Sequence, residues 1–548
     1  MRLVPFGDIA ASVVPEAGED RTPQRGQAVA AAIEAACIPG VLDVVAAPER
    51  VAVGFDPRRI PDLAAVGAAV IAAAERHMAA ESEHLPATHV IPVAFDGADL
   101  EEVCGIHGLA RRDLVAIHTG PSYTVEAVGF LPGFGYLHGL DDRLVTPRRA
   151  TPRAIVPAGS VGIGGAQTGV YPFASPGGWN LIGRSGVELF DANRPRPAVF
   201  AVGDRVRFVE AEPADVPAPV ADGRTTHRGG PPVDRSAAIT VIQPGLFTTV
   251  QDLGRPGYRA SGVPRSGAVD QVSLELANAL VGNPPDAAAI ECTLLGPTLR
   301  FDKAAVVALV GAGFPGLPAG RPVRVPAGTV IELGHATAGC RGYLAVAGGI
   351  AVEPVLGSRS TFVPAGLGGL SGRAFRAGDS LAVDDPIGAP LAEALPPALD
   401  SVRRPRVLRV LPGEHAGDFD ESVWARMFRT SSRSNRMGVR LEGDSLRGVP
   451  ADGSRPPLAA AGAMRSVPVF PGTVQVPPDG CPIILLADAQ TIGGYPVFGH
   501  VITADLPIVA QLRPGDEVCW RPVSLGDAVA ALRELQSALA ACAEGPGR

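Results

Sequence analysis

Lysine is almost missing from this 548-residue chain: Lys303 is the only one among 48 basic residues. A GxxxxGK[ST] phosphate loop is therefore excluded, as is a Ser-Ser-Lys amidase triad. Biotin has no lysine to be carried on, because Ala463-Met464 is followed by Arg465. The seven cysteines, Cys37, Cys104, Cys292, Cys340, Cys481, Cys519 and Cys542, are odd in number, far apart and without a CxxC pair. Neither a disulfide framework nor a zinc knuckle fits that spacing, so they read as buried thiols. HExxH, GxSxG and carboxylate-rich metal patterns are also absent. No apolar run approaches the roughly 20 residues that span a bilayer. The opening MRLVPFGDIA lacks the charged and apolar regions of a secretory signal, so a cytoplasmic protein is expected. A net charge of -8 argues against nucleic acid, whose phosphates demand clustered positive charge.

Glycine (67) and proline (54) are plentiful, which points to many turns between short strands. The length exceeds what one core can hold. The expected fold is mainly β with an α/β part: a small α/β N-terminal domain and then three β-barrel modules. Residues 1–84 alternate strand-like runs such as RVAVGF with helix-like ones such as QAVAAAIEAAC. Residues 85–212 turn to short Val/Ile/Phe runs, the first barrel. The Pro/Gly/charge-rich stretch 213–238 cannot bury enough surface to fold and is taken as a linker. Two further barrels are assigned to 239–395 and 396–525, separated by a weaker linker around 395–405, with a helix and tail at 526–548. A faint repeat supports the count. VPAGSVGI, VPAGTVIEL and VPPDGCPIILL each open a unit through a Pro-Gly-type turn, and VGDRVRF, AGDSLAV and RPGDEVCW each close one through Gly-Asp.

Residues 117–185 hold the densest group of chemically useful positions. Gly133, Gly159, Gly162, Gly177 and Gly178 let backbone amides approach a ligand, beside Phe134, Tyr136, Ser160, Gln167, Ser175 and Trp179. The same glycines also suit tight barrel corners. His118 is the candidate acid/base, against the commoner structural use of a lone histidine. Arg148 and Arg153, in TPRRATPR, suit forked bonds to a carboxylate or phosphate, or a solvated turn. In the second half, Asp270 stands where it caps a helix whose apolar face is Leu274, Leu276, Ala277 and Leu280; Asn278 on that helix is then paired or functional. Glu291, Arg436, Arg440, Gln490 and Tyr495 complete the candidates.

Three segments, HTGPSYTVEAVGFLPGFGYLHGL, TPRRATPRAIVPAGSVGI and TGVYPFASPGGWNLIGR, closely resemble the B-type component of 5-oxoprolinase, also known as allophanate hydrolase subunit 1 and the Kip kinase inhibitor. QPGLFTTVQDLGRPGYRASGVPRSGAVD, SNRMGVRL and DAQTIGGYPVFGHVITADL resemble its C-type component, or allophanate hydrolase subunit 2. The resemblance covers nearly all the chain outside the linker. It implies that the barrels are cyclophilin-like, and that the activity is ATP-dependent opening of 5-oxo-L-proline to L-glutamate with a separate A-type 5-oxoprolinase component. It further implies ATP, with or without Mg; the missing lysine leaves no covalent biotin on this chain, and a homo-oligomer is expected. The same modules resemble the carboxyltransferase region of urea carboxylase, so carboxyl transfer from a separate biotin carrier to a urea-like amide is the alternative. Regulation of a histidine kinase ranks below both, because fusing inhibitor to antagonist makes a permanent complex. Val439 and Val467 stand where the family often has an aromatic and an acidic residue, respectively. The active cleft is expected where the first barrel meets the second half. Gly133–Tyr136, Gly159–Gly165 and Ser175–Trp179 would line one side, and Asp270, Asn278, Glu291 and Gln490 the other. His118, Asp270, Asn278, Glu291 and Gln490 are expected to carry the chemistry. The glycines named above, with Phe134, Tyr136, Arg148, Arg153, Ser160, Gln167, Ser175, Trp179, Arg436, Arg440 and Tyr495, are expected to bind substrate or anion.

Overall fold

A computed structural model describes residues 1–16, 21–56, 58, 63–79, 86–216, 238–388, 402, 406–446 and 466–544. Both linkers fall almost wholly outside the described residues.

The first 55 residues make a four-stranded antiparallel sheet, in the order Arg2–Pro5, Ala10–Val14, Arg50–Phe55, Val41–Ala47. Helix Pro23–Ala35 packs on it through Val29, Ala30 and Ile33. It starts where proline fixes the first turn and the Thr22 hydroxyl accepts from the Arg25 N–H. A seven-stranded sheet follows, ordered Asn180–Arg184, Ser160–Gly164, Gln167–Val170, Gly135–His138, Tyr123–Val128, Arg205–Glu210, Thr88–Val93. Its last pair is parallel. One buried cluster runs from Ala11 through Val53 to Phe208, so the α/β part and this sheet share a core.

Two five-stranded sheets lie next, enclosing a core of Ile239, Leu299, Phe301 and Leu344. Helix Gln271–Leu280 begins at Asp270, whose carboxylate accepts from the Ser273 N–H, and buries Leu274, Leu276, Ala277 and Leu280 as expected. The last unit is a closed seven-stranded barrel. Its closing seam is the parallel pair of Val407–Pro412 with Glu517–Pro522. Helix Leu525–Glu544 packs against Gln271–Leu280. Among the described residues no helix is long and apolar enough to cross a membrane.

The protein is thus mainly β with an α/β part, but the three barrels expected from the sequence are not three alike. One barrel is closed, the first unit is an open barrel-like sheet, and the middle unit is a pair of sheets. The repeat nevertheless has a structural counterpart. Gly203, Gly378 and Gly515 have φ of 90°, 87° and 88°, a region a Cβ disfavours. Each donates its N–H to a strand carbonyl, those of Val125, Val241 and Thr430, at 2.8, 2.8 and 2.7 Å. The following aspartate then accepts from the N–H three residues back: Asp204 from Ala201, Asp379 from Arg376, Asp516 from Arg513. Such agreement exceeds what a generic hairpin requires, since only a short polar side chain in that position can hold the preceding loop.

Candidate functional site

The first half meets the second along a line of close backbone approaches. Gly133 donates to the Ser261 carbonyl at 2.9 Å. A Cβ on Gly129 would lie 2.4 Å from Ile492 Cγ1 and 2.9 Å from Thr491 Oγ1. Gly129→Ala is therefore expected to destabilise the protein by about 1–3 kcal/mol through overpacking. Urea denaturation checks this. An unchanged midpoint would show the contact to be loose, and Ile492→Ala, which removes the nearest atom, should recover part of the loss.

Aromatic rings fill the seam. Phe134 packs edge-on against Tyr136, Tyr171 and Trp179 at centroid distances of 5.0, 5.3 and 5.4 Å. Glycine is needed beneath them, because a Cβ at Gly164 would reach 2.4 Å from the Trp179 indole and one at Gly177 2.7 Å from the Tyr171 hydroxyl. Tyr136 also packs with Val45 of the small sheet, Ala127 and Ile492, so three parts of the chain meet at one ring. Burial pushes the Tyr136 phenol well above its ordinary range and the Tyr171 phenol up to about 12, against the pull of the Arg148 charge. Both therefore stay neutral O–H donors at neutral pH. Tyr495 lies within electrostatic reach of Tyr136. Arg148 is exposed, and among the described residues no group accepts from its guanidinium. Gln167 donates to Glu126 at 3.0 Å, and Glu126 is 8% exposed. Gln490 is half-buried next to the Thr491-Ile492 contact.

The remaining candidates are elsewhere or already engaged. Arg153 and Arg149 both pair with Asp99, whose second oxygen accepts from the Leu181 N–H at 2.6 Å. Arg153 is thus tied into a structural ion pair, although its Nη1 has no partner among the described residues. The Gly178 carbonyl accepts from the Arg149 N–H, and the Gly159 N–H donates to the Tyr171 carbonyl, so these two glycines shape the loops. Ser160 and Ser175 are buried, and the Ser175 hydroxyl has no partner among the described residues. Gly162 sits under Trp179. Arg440 is exposed, and its N–H donates to the Ser434 hydroxyl.

The expected acid/base, His118, is fully buried between Phe95, Tyr123 and Phe208. Its Nε2 meets the Thr168 hydroxyl at 3.0 Å, and burial lowers its pKa to about 3. An imidazole that stays neutral inside the core has no contact with the seam, so the geometry gives it a packing role. Asn278 is spent on the helix exit, donating to the Pro285 and Ala287 carbonyls and accepting from Asn283. Asp270 is spent on its cap and on Gln511 at 2.8 Å. Glu291 and Arg436 do come together, but inside the protein. Arg436 is 6% exposed, clasps Asp488 at 2.8 and 3.0 Å and also bonds Glu291. Tyr343 donates to Glu291 at 2.7 Å. These residues join the middle unit to the closed barrel and do not face the aromatic seam as the second wall of one cleft.

Glu126 escaped the sequence reading. Its signal was present: in YTVEAV it is a lone carboxylate in an apolar strand, and it sits where the pairing with Gly135–His138 shifts register between Val125 and Ala127. Such a bulge re-aims a side chain.

Comparison with known proteins accounts for both halves. Residues 1–200 match the carboxyltransferase domain, subdomain C and D, and residues 261–522 match subdomain A and B. The second half is 38% identical over 309 residues to the C-type 5-oxoprolinase component of Escherichia coli K12, covering 54% of this chain and 95% of that protein. A 122-residue stretch is 52% identical to the B-type component of Haemophilus influenzae, covering 22% of this chain and 57% of that protein. The crystal structure of TTHA0988 matches 94% of this chain and all of its own at 35% identity, with a TM-score of 0.77. The chain therefore belongs to the carboxyltransferase-domain family of the B-type and C-type 5-oxoprolinase components, with a B-type half followed by a C-type half.

Proposed function

We propose that this chain is the joined B-type and C-type component of an ATP-dependent 5-oxoprolinase, acting with a separate A-type 5-oxoprolinase protein on 5-oxo-L-proline. The observation that carries the reading is the presence of both component types in one chain, 52% and 38% identical to their counterparts over the stretches matched. In the proposed reaction water adds to the lactam carbonyl, the ring C–N bond breaks, and the nitrogen takes up a proton to give L-glutamate. A lactam resists this through amide resonance, and coupling to ATP supplies the driving force. We place the substrate at the aromatic seam. Arg148, exposed and without an acceptor among the described residues, suits the substrate carboxylate. The neutral phenols of Tyr136 and Tyr171 suit oxygen atoms that gain charge, and the Gln167–Glu126 pair suits an amide edge. The three Gly-Asp turns support reading the β units as related, cyclophilin-like modules.

The alternative, carboxyl transfer from a separate biotin carrier to a urea-like amide, is favoured by the carboxyltransferase description of both domains. One experiment separates the two. The purified chain is mixed with a co-encoded A-type protein, ATP and 5-oxo-L-proline, and glutamate and ADP are followed. A parallel assay offers carboxybiotin and urea. Glutamate that requires both proteins and ATP is the expected result. Carboxyl transfer without ring opening would overturn it in favour of the alternative.

A further inference from the structure

A cavity of about 680 Å³ lies where the small N-terminal sheet, the loops around residues 253–272, the closed barrel and the C-terminal helix converge. Much of its wall is apolar, including Phe55, Leu253, Phe470 and Leu535. Into this surface the chain places three arginines, Arg58, Arg259 and Arg265, and the Asp43 carboxylate lies within electrostatic reach of the last two. Charged groups on an apolar wall are costly unless fully paired. Here they are not. Arg259 is 3% exposed, bonds the Val469 carbonyl and lies over the Phe470 ring at 4.5 Å, yet its Nε has no acceptor among the described residues. Arg265 spends its Nε on the Leu253 carbonyl at 3.1 Å; its terminal nitrogens feel the charges of Asp43 and Asp56 but have no hydrogen-bond acceptor among the described residues. One Asp43 oxygen is taken by the Gly257 and Arg259 N–H groups. Burial lowers the proton affinity of Arg259, and the Asp43 charge opposes this more strongly than the Arg265 charge adds to it.

The lining acids, Asp43, Asp56, Glu275 and Asp286, offset the charge of Arg58, Arg259 and Arg265, so what the site has to spare is hydrogen-bond donors and not net positive charge. Glu275 is paired with Arg58, Asp56 accepts from the Arg58 N–H at 3.0 Å, and Asp286 is exposed at the rim. The site thus has spare, directed guanidinium donors at one end and an apolar chamber at the other. That combination suits one ligand class, because a carboxylate takes forked bonds from arginine while its hydrocarbon body fills the chamber.

We propose that this cavity binds a small amphipathic carboxylate, held by Arg265 and Arg259 with its apolar body against Phe55 and Phe470. The site is separate from the aromatic seam and does not depend on the lactam reading. It shares one strand with the seam, since Asp43 faces the cavity and Val45, two residues on, packs with Tyr136.

The test uses the full-length chain and isothermal titration calorimetry with 3-phenylpropionate as probe and the neutral 3-phenylpropionamide as control. The carboxylate is expected to bind and the amide to bind at least tenfold more weakly. Arg265→Gln should weaken the carboxylate at least tenfold. Gln536→Trp, which fills the chamber from the C-terminal helix, should abolish binding while the circular dichroism spectrum is kept; this variant serves if Arg265→Gln fails to fold. Arg148→Gln, at the seam, should leave probe affinity unchanged. Equal binding of acid and amide, or undiminished binding by both cavity variants, overturns the proposal. Loss of binding in Arg148→Gln alone would also overturn it, by moving the probe to the seam. Failure of ring opening in the reconstituted enzyme, with probe binding intact, would sink the functional reading and leave this one standing.

Discussion

Arg436→Met is expected to destabilise the protein by about 3–5 kcal/mol, the usual consequence of removing one member of a buried ion cluster. Glu291 and Asp488 are 1% and 4% exposed, and Arg436 is the cation both of them bond. Burial alone would raise the pKa of Glu291, yet the nearby Arg436 and Arg341 charges and the Tyr343 hydroxyl bring it below the ordinary value. Without Arg436, two carboxylates must either take up protons or remain charged in a dry interior. The damage is not local, because the cluster spans the joint between the middle unit and the closed barrel. Arg436 also donates to the Gly267 carbonyl at 2.6 Å, and Ser266 donates to Asp488 at 2.7 Å. Urea denaturation followed by tryptophan fluorescence measures the loss. Combining Arg436→Met with Glu291→Gln and Asp488→Asn should recover much of it, since neutral groups cost far less to bury than unpaired charges. If Arg436→Met alone unfolds at the parent midpoint, the cluster contributes nothing net and the joint is held by apolar packing.

The legible and the illegible parts of this protein differ in sequence distance. Features set by a few neighbouring residues could be read directly. The three Gly-Asp turns need φ near 90° and a carboxylate one residue on, and the chain spells that out each time. Likewise the cap at Asp270 and the apolar face from Leu274 to Leu280 followed from helical spacing alone. Whether a sheet closes was another matter. Closure of the last barrel depends on Val407 meeting Cys519 across the whole unit, and no local pattern encodes that pairing.

The site candidates divide the same way. The glycines around Trp179 were found because close approach has a compositional signature, and Tyr136 and Arg148 came with them. Arg153 and Arg436 drew attention as free cations, but their partners, Asp99 and Glu291, lie 54 and 145 residues away and only folding reveals the charge balance. Asn278 looked functional because a buried amide needs partners, and the partners prove to be the carbonyls of the following turn. For His118 the sequence offered a tyrosine and a glycine-rich loop nearby. It could not foretell that Phe208, far along the chain, would stack on the ring at 4.7 Å. The 680 Å³ cavity was invisible for the most basic reason, that its walls come from widely separated stretches.

Acidification from pH 8 to pH 5 is expected to cost the folded state about 3 kcal/mol through three buried groups, and the sign follows from each one. His118 and His500 have pKa values lowered by burial from 6.5 to about 3. In the unfolded chain both take up protons below pH 6.5, whereas the folded chain refuses them until about pH 3. Stability is therefore lost as pH falls through that window, at roughly 1.4 kcal/mol per unit for each group, or about 2 kcal/mol each at pH 5. Asp8 acts oppositely. Burial raises its pKa from 3.8 to about 6, against the hydrogen bonds from Thr503. The folded chain then binds a proton before the unfolded one does, and regains about 1.4 kcal/mol by pH 5. Urea midpoints measured at pH 8 and pH 5 report the net change. His118→Gln should remove about 2 kcal/mol of the pH dependence, and Asp8→Asn should steepen it by about 1.4 kcal/mol because its compensation is gone. His500 also ties the N-terminus to the closed barrel, with Phe6 against its ring at 4.4 Å and Thr473 within 3.3 Å of Nδ1. Opening that junction, which lets His500 take up a proton, should accordingly become easier as pH falls, seen as lower protection of the Phe6 and Gly7 amides, relative to their intrinsic exchange rates, at pH 5 than at pH 8. Identical pH profiles for the parent and His118→Gln would mean that the core hydrates and accepts the charge, and the packing role assigned to His118 would fall with it.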